Sequence, residues 1–97
     1  MAQFDVHRLA GGLVLDCQSD LLSHIASRLV APLVPKSHAP TAATRLNPVF
    51  QIEGDDYVMV TESAGTVRTK LLGPIVVSLT HCSFEVIDAL DVLISGV

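Results

Sequence analysis

The chain has 97 residues, which makes one domain with room for a core, small enough that a core shared in a dimer would help it. Apolar residues are 49% of the chain and charged residues 16%, so disorder is excluded and a homodimer is expected to hide the apolar surface. A net charge of −4 with six scattered Lys and Arg residues excludes sequence-independent nucleic-acid binding, which needs clustered cations to displace counterions.

The start, Met1 to Asp5, carries an acid where a secretory signal places cations, and no apolar region follows. The longest apolar stretch, Leu29 to Val34, contains Pro32 and is far short of the roughly 20 residues that cross a bilayer. A cytoplasmic protein without membrane contact is expected. Gln3 to Leu9 alternates, with Phe4 and Val6 on one side. Ala10-Gly11-Gly12 reads as a turn and Leu13 to Cys17 as the returning strand of a hairpin. Cys17 shares a strand face with Leu13 and Leu15, the place of a small buried hydrophobe, so Cys17 and Cys82 are expected to be reduced, structural thiols. Gln18-Ser19-Asp20 is a turn or local cap, and Leu21 to Ser27 is either a short helical turn or an irregular loop. Arg28 to Val34 is the next strand, which Pro32 and Pro35 mark as irregular or at an edge. Lys36 to Thr44 is a polar loop of small residues.

Val49 to Glu53 and Tyr57 to Thr61 flank Gly54-Asp55-Asp56, a hairpin signal. Val67 to Leu72 and Ile75 to Leu79 are further strands about the turn Gly73-Pro74. Thr80 to Val97 reads as one amphipathic helix. Its broad apolar face holds Val86, Ala89, Leu90, Leu93 and Val97. Glu85, Asp88, Asp91 and Ser95 recur at intervals of three and four, so they form one polar stripe, with Phe84 and Val92 in or beside it. That stripe is a candidate docking surface. Asp91 near the helix end opposes the macrodipole, a small local cost that favours a role for it. Strands first and one helix last, without βαβ alternation, predict a single α+β domain over residues 1–97, built on a mainly antiparallel twisted sheet.

Signals for chemistry are few. His81-Cys82 is the sole adjacent pair of good metal ligands, and His7, His24 and His38 have no metal-type spacing, so no metal is expected. No Gly-x-Ser-x-Gly elbow and no phosphate loop occur, and no cofactor is expected. His24 and Arg28 are four apart and would share a face of a helix, a base and a phosphate-binding cation of the kind RNA cleavage needs. An exposed basic pair beside a turn is the plainer alternative.

Four segments carry a resemblance: Leu15-Asp16-Cys17-Gln18-Ser19-Asp20-Leu21-Leu22, Arg28 to Leu33, Asn47 to Ile52, and Leu79-Thr80-His81 at the helix entry. In their order and spacing the chain resembles the CcdB family, the toxin half of the Ccd toxin–antitoxin systems, over nearly its whole length. The resemblance implies a homodimer with a twisted antiparallel sheet and a C-terminal helix, an SH3-like barrel related to the MazF and Kid ribonucleases. It implies a binding protein and not an enzyme. The best-known member inserts into the dimerisation region of the DNA gyrase A subunit and traps the enzyme on cleaved DNA. A CcdA-type antitoxin removes it, and the pair represses its own operon, with DNA contacted only through the antitoxin. The contact surface implied for this chain is Asp88, Asp91, Ile94, Ser95, Gly96 and Val97 on the last helix, with Leu21 and Leu22 nearby. One departure stands out: the best-known gyrase poison has tryptophan where this chain has Ser95. Such aromatic anchors are worth about 2–4 kcal/mol at an interface.

Overall fold

In the computed structural model, which describes residues 2–39 and 44–96, seven strands precede one helix. In chain order these are β1 (Asp5–Leu9), β2 (Gly12–Asp16), β3 (Ser27–Pro35), β4 (Val49–Ile52), β5 (Asp55–Met59), β6 (Gly65–Arg68), β7 (Ile75–Ser78) and α1 (Ser83–Ser95). All pair antiparallel in one sheet of order β4-β5-β3-β2-β1-β7, with β6 also on β3. The expected α+β domain, a curled antiparallel sheet with a C-terminal helix, is what forms.

Local chemistry sets the two hairpins. Ala10 and Gly11 have φ of 50° and 82°, and Glu53 and Gly54 have φ of 52° and 85°. Positive φ at both central residues is the requirement of the tight turn whose twist matches that of paired strands. The second turn is therefore Glu53-Gly54 and not the expected Gly54-Asp55-Asp56. Asp55 and Asp56 already belong to β5, opposite Ile52 and Gln51.

β3 lies inside the sheet, so of the two readings of Pro32 and Pro35 the irregular strand is the one that forms and the edge is not. One side of β3 pairs β2 from Leu13↔Leu33 to Asp16↔Val30. Its other side pairs β6 over Ser27–Val30 and β5 over Leu33–Pro35. Pro32 stands where the partner changes, and its carbonyl accepts from Val60 N–H at 2.9 Å. Its missing N–H faces the same junction, so a central strand tolerates it.

Two other boundaries move. β6 ends at Arg68, and Thr69–Leu71 tighten into a 3-10 turn where a strand to Leu72 was expected. Likewise Thr80–Cys82 form a 3-10 turn, so the helix begins at Ser83. Gly73 is a close approach: its N–H donates to the Arg8 carbonyl at 2.8 Å, and a Cβ there would stand 2.6 Å from that oxygen.

The core gathers Val6, Leu13, Leu15, Ala31 and Leu33 with Phe50, Ile52, Met59, Leu79 and Val86. Cys17 joins it as expected, and burial pushes its thiol up to about 12, with Asp16 adding to the effect. Cys17 and Cys82 are both free thiols. The opposite face of β1–β3 is buried too: Asp5, His7, Val14, Asp16, Arg28 and Val30 all lie on it. Burial on both faces explains why β2 reads as an unbroken apolar run.

Candidate functional site

Two groups of side chains face outward among the residues that the family resemblance implies for contact. The first is the turn before β3. Asp20–Leu22 form one 3-10 turn, opened by Ser19, whose Oγ accepts from Leu21 N–H at 3.2 Å. Leu21 is 89% exposed and Leu22 44%. Two large apolar side chains held in water need a rigid support, and the polar residues Asp16, Gln18 and Arg28 behind them supply it.

Gln18 Nε2 donates to the carbonyls of Leu22 and Ser27 at 3.2 and 3.1 Å, spanning the loop, while its Oε1 accepts from Leu29 N–H at 3.0 Å. Asp16 accepts from Gln18 N–H at 3.0 Å and from Arg28 Nε at 2.9 Å. Arg28 also donates to the Gln18 carbonyl at 3.3 Å. Asp20, 3.8 Å from the Arg28 guanidinium, accepts from Gln3 N–H at 2.8 Å and ties the N-terminal segment to the turn. Beside the turn, Ile25 to Ser27 and Arg68 to Lys70 line an open cleft of about 710 Å³.

This network corrects the pairing of His24 with Arg28. The stretch between them is not helical: the 3-10 turn ends at Leu22 and β3 begins at Ser27. Arg28 points inward, buried against Asp16, while His24 is exposed. A cation enclosed in this way is committed to its carboxylate and does not meet a phosphate.

The second group lies on α1. Val86 and Ala89 are buried and Leu90 half-buried, as the apolar face requires, but Leu93 is 42% exposed and falls outside the buried part. Asp88 is not a free carboxylate of the outer stripe. Arg45 grips it through two hydrogen bonds, Nε to Oδ2 at 3.1 Å and a terminal nitrogen to Oδ1 at 2.7 Å. That contact holds the Asp88 carboxyl below its ordinary value. Glu85 and Asp91 are exposed, and Ile94 is 82% exposed. Ser95 turns back on the helix, its Oγ donating to the Asp91 carbonyl at 2.7 Å. Gly96 ends the helix with φ of 76°, its N–H on the Val92 carbonyl at 2.9 Å, the left-handed cap that glycine adopts without strain. Val97 lies outside the described residues.

Asp88, Asp91, Ile94, Ser95 and Gly96 therefore share one helix, and Leu21 and Leu22 stand on a different element. The helix also presents Phe84, 77% exposed, and Ile87, 41% exposed, which the resemblance did not bring forward. Phe84 was visible in the sequence as an aromatic misplaced on the polar stripe. Among the described residues no three His, Cys, Asp or Glu side chains gather as a metal site requires.

Comparison with known proteins bears on the family and the fold. A family model described as CcdB protein matches residues 3–96. No curated protein matches the chain. Among solved structures, a Mtb toxin superposes with a TM-score of 0.75 at 14% identity, covering 91% of this chain and 98% of that one. A mycobacterial endoribonuclease in complex with its cognate antitoxin gives 0.77 at 15% identity, covering 96% and 93%. An endoribonuclease from a mycobacterial species gives 0.76 at 15%, covering 96% and 89%. At such identities the likeness is one of fold.

Proposed function

Because the chain belongs to the CcdB family of toxins, matched over residues 3–96, we propose that it acts by binding and not by catalysis. Its target is the dimerisation region of the DNA gyrase A subunit, where it traps the enzyme on cleaved DNA. It works in the cytoplasm as a homodimer, and a CcdA-type antitoxin neutralises it and carries the DNA contacts of operon repression. The observation that supports this reading is the family match together with the exposure of Leu21, Leu22, Asp91 and Ile94, which the family resemblance implies as contact residues. The burial of Arg28 removes the cation on which an RNA-cleaving alternative rested.

A second reading has its own support. Ser95 is hydrogen-bonded to its own helix and offers no aromatic anchor, which favours a weakened toxin kept for antitoxin binding and operon control. Purified protein, host gyrase, supercoiled DNA and ATP separate the two. Linear DNA after detergent and protease, lost on deleting Val97, supports poisoning. Absence of linear product leaves the weakened toxin.

A further inference from the structure

The outward strip of α1 joins Asp91 and Ile94, which the family contact set includes, to Phe84 and Ile87, which it does not. Phe84, Ile87, Asp91 and Ile94 follow one another at three, four and three residues, the a-d-a-d spacing of a helix seam. The strip is about 15 Å long at 1.5 Å per residue. Phe84, Ile87 and Ile94 are 77%, 41% and 82% exposed, so its apolar positions are unpartnered in the monomer. Asp91, exposed, occupies the second a position.

Charge then selects the occupant. From Leu71 onward the sequence holds no Lys or Arg, while α1 carries Glu85, Asp88 and Asp91. No basic residue lies in its last turn to balance the negative end of the macrodipole. Arg45, which reaches the helix from the loop before β4, is committed to Asp88 by two hydrogen bonds and feels Asp91 only as a weaker pull. A second copy of the chain fits poorly. Parallel pairing sets Asp91 against Asp91, and antiparallel pairing buries it against isoleucine.

We propose that Phe84, Ile87, Asp91 and Ile94 form a docking seam for a cationic amphipathic helix of a protein partner. Phe84 is its aromatic anchor, in place of the tryptophan the chain lacks, and Asp91 pairs with a Lys or Arg facing it. The proposal rests on reading this helix face as a partner surface and adds the chemistry of the partner and two recognition residues.

The test uses the full chain and two labelled 18-residue helical peptides of one amphipathic pattern, one of Leu and Lys and one of Leu and Glu, read by fluorescence anisotropy. The Leu–Lys peptide should bind and the Leu–Glu peptide should not. Phe84→Ser should weaken the Leu–Lys complex at least tenfold, and Asp91→Lys should reverse the preference between peptides. Both positions are exposed, and thermal melts establish that the variants fold. Equal affinity of the native chain and both variants for the Leu–Lys peptide overturns the proposal, as does equal binding of the two peptides. Dissociation of a native dimer on Phe84→Ser, seen by sedimentation, gives the seam to a second copy and also overturns it. The gyrase assay is separate: peptide selectivity without linear DNA keeps the seam and sinks the gyrase reading, and the opposite result does the reverse.

Discussion

Asp16 and Arg28 are twelve residues apart and meet at 2.8 Å with 0% and 1% of their side chains exposed. Around this pair Gln18 spans the loop that lifts Leu21 and Leu22 into solvent, so a buried interaction shapes an exposed surface. The family motif Leu15 to Leu22 thus has a physical meaning: it alternates core side chains with the brace of the turn that follows.

Removing one partner of this pair leaves a buried, uncompensated charge. Arg28→Met should therefore destabilise the protein by about 3–5 kcal/mol. Asp16→Asn combined with Arg28→Met should recover a good part of that loss, because no charge is then buried alone. Urea unfolding of the two variants checks this through the midpoint at constant m-value. Equal stability of single and double variants would show that the charge pairing itself is immaterial.

Ala10 occupies the left-handed region at φ of 50°, where an L residue with a Cβ is strained by about 1–2 kcal/mol. Asn tolerates that conformation, and Asn-Gly is the favoured pair for this turn. Ala10→Asn should raise stability by about 1 kcal/mol, measured as an upward shift in Tm. Ala10 is exposed, so no packing is lost in the exchange.

The Cys17 thiol predicts an alkaline transition. Its folded pKa is raised from 9.0 to about 12, so the native state holds the proton more tightly than the unfolded one. The resulting stability is full below pH 9 and is lost as pH rises toward 12. Cys17→Ala should flatten that limb of the pH–stability curve. In the native chain at pH 8, a thiol reagent should modify Cys17 only at the rate of unfolding.

Acid acts on the loop-to-helix clasp with the opposite sign. Arg45 holds the Asp88 carboxyl below its ordinary value, so the clasp contributes above the unfolded pKa of about 3.9 and is lost as pH falls through the depressed one. The NMR titration midpoint of Asp88 should rise in Arg45→Met. Because Arg45 is exposed and Asp88 only half-buried, high salt should screen the pair and shift the native midpoint the same way.

Much of this architecture is legible in the sequence because it is local. Gly11 and Gly54 mark two turns that only a few residues decide, and the spacing of Val86, Ala89 and Leu90 shows which side of α1 faces the core. The inward direction of Arg28 is not legible, since its partner lies twelve residues away on another strand. For the same reason Asp88 read as a free stripe residue, although its cation is 43 residues distant. Pro32 left an irregular strand and an edge both open, because a change of partner along one strand leaves no local mark that separates the two. On the helix Asp91 and Ile94 stand exposed, while Val92, expected in or beside the polar stripe, is half-buried and Leu93, expected on the apolar face, is exposed: beyond Leu90 the side turned to the core is that of Val92 and not that of Leu93.

Ser95 decides between the two functional readings, and one substitution separates them. Its hydroxyl is spent on the Asp91 carbonyl, an interaction within one exposed helix turn that packing does not require. Ser95→Trp should therefore leave the fold intact and place an indole at the helix end, before the Gly96 cap. Interface anchors of this kind contribute about 2–4 kcal/mol, tens- to a thousandfold in affinity. If gyrase A is the target, Ser95→Trp should lower the concentration giving half-maximal linear DNA by at least tenfold. If the native chain already poisons its host's gyrase through a surface fitted to serine, the indole should clash and raise that concentration. No effect on linear DNA, with tight antitoxin binding preserved, would place the chain's role in antitoxin binding and operon control.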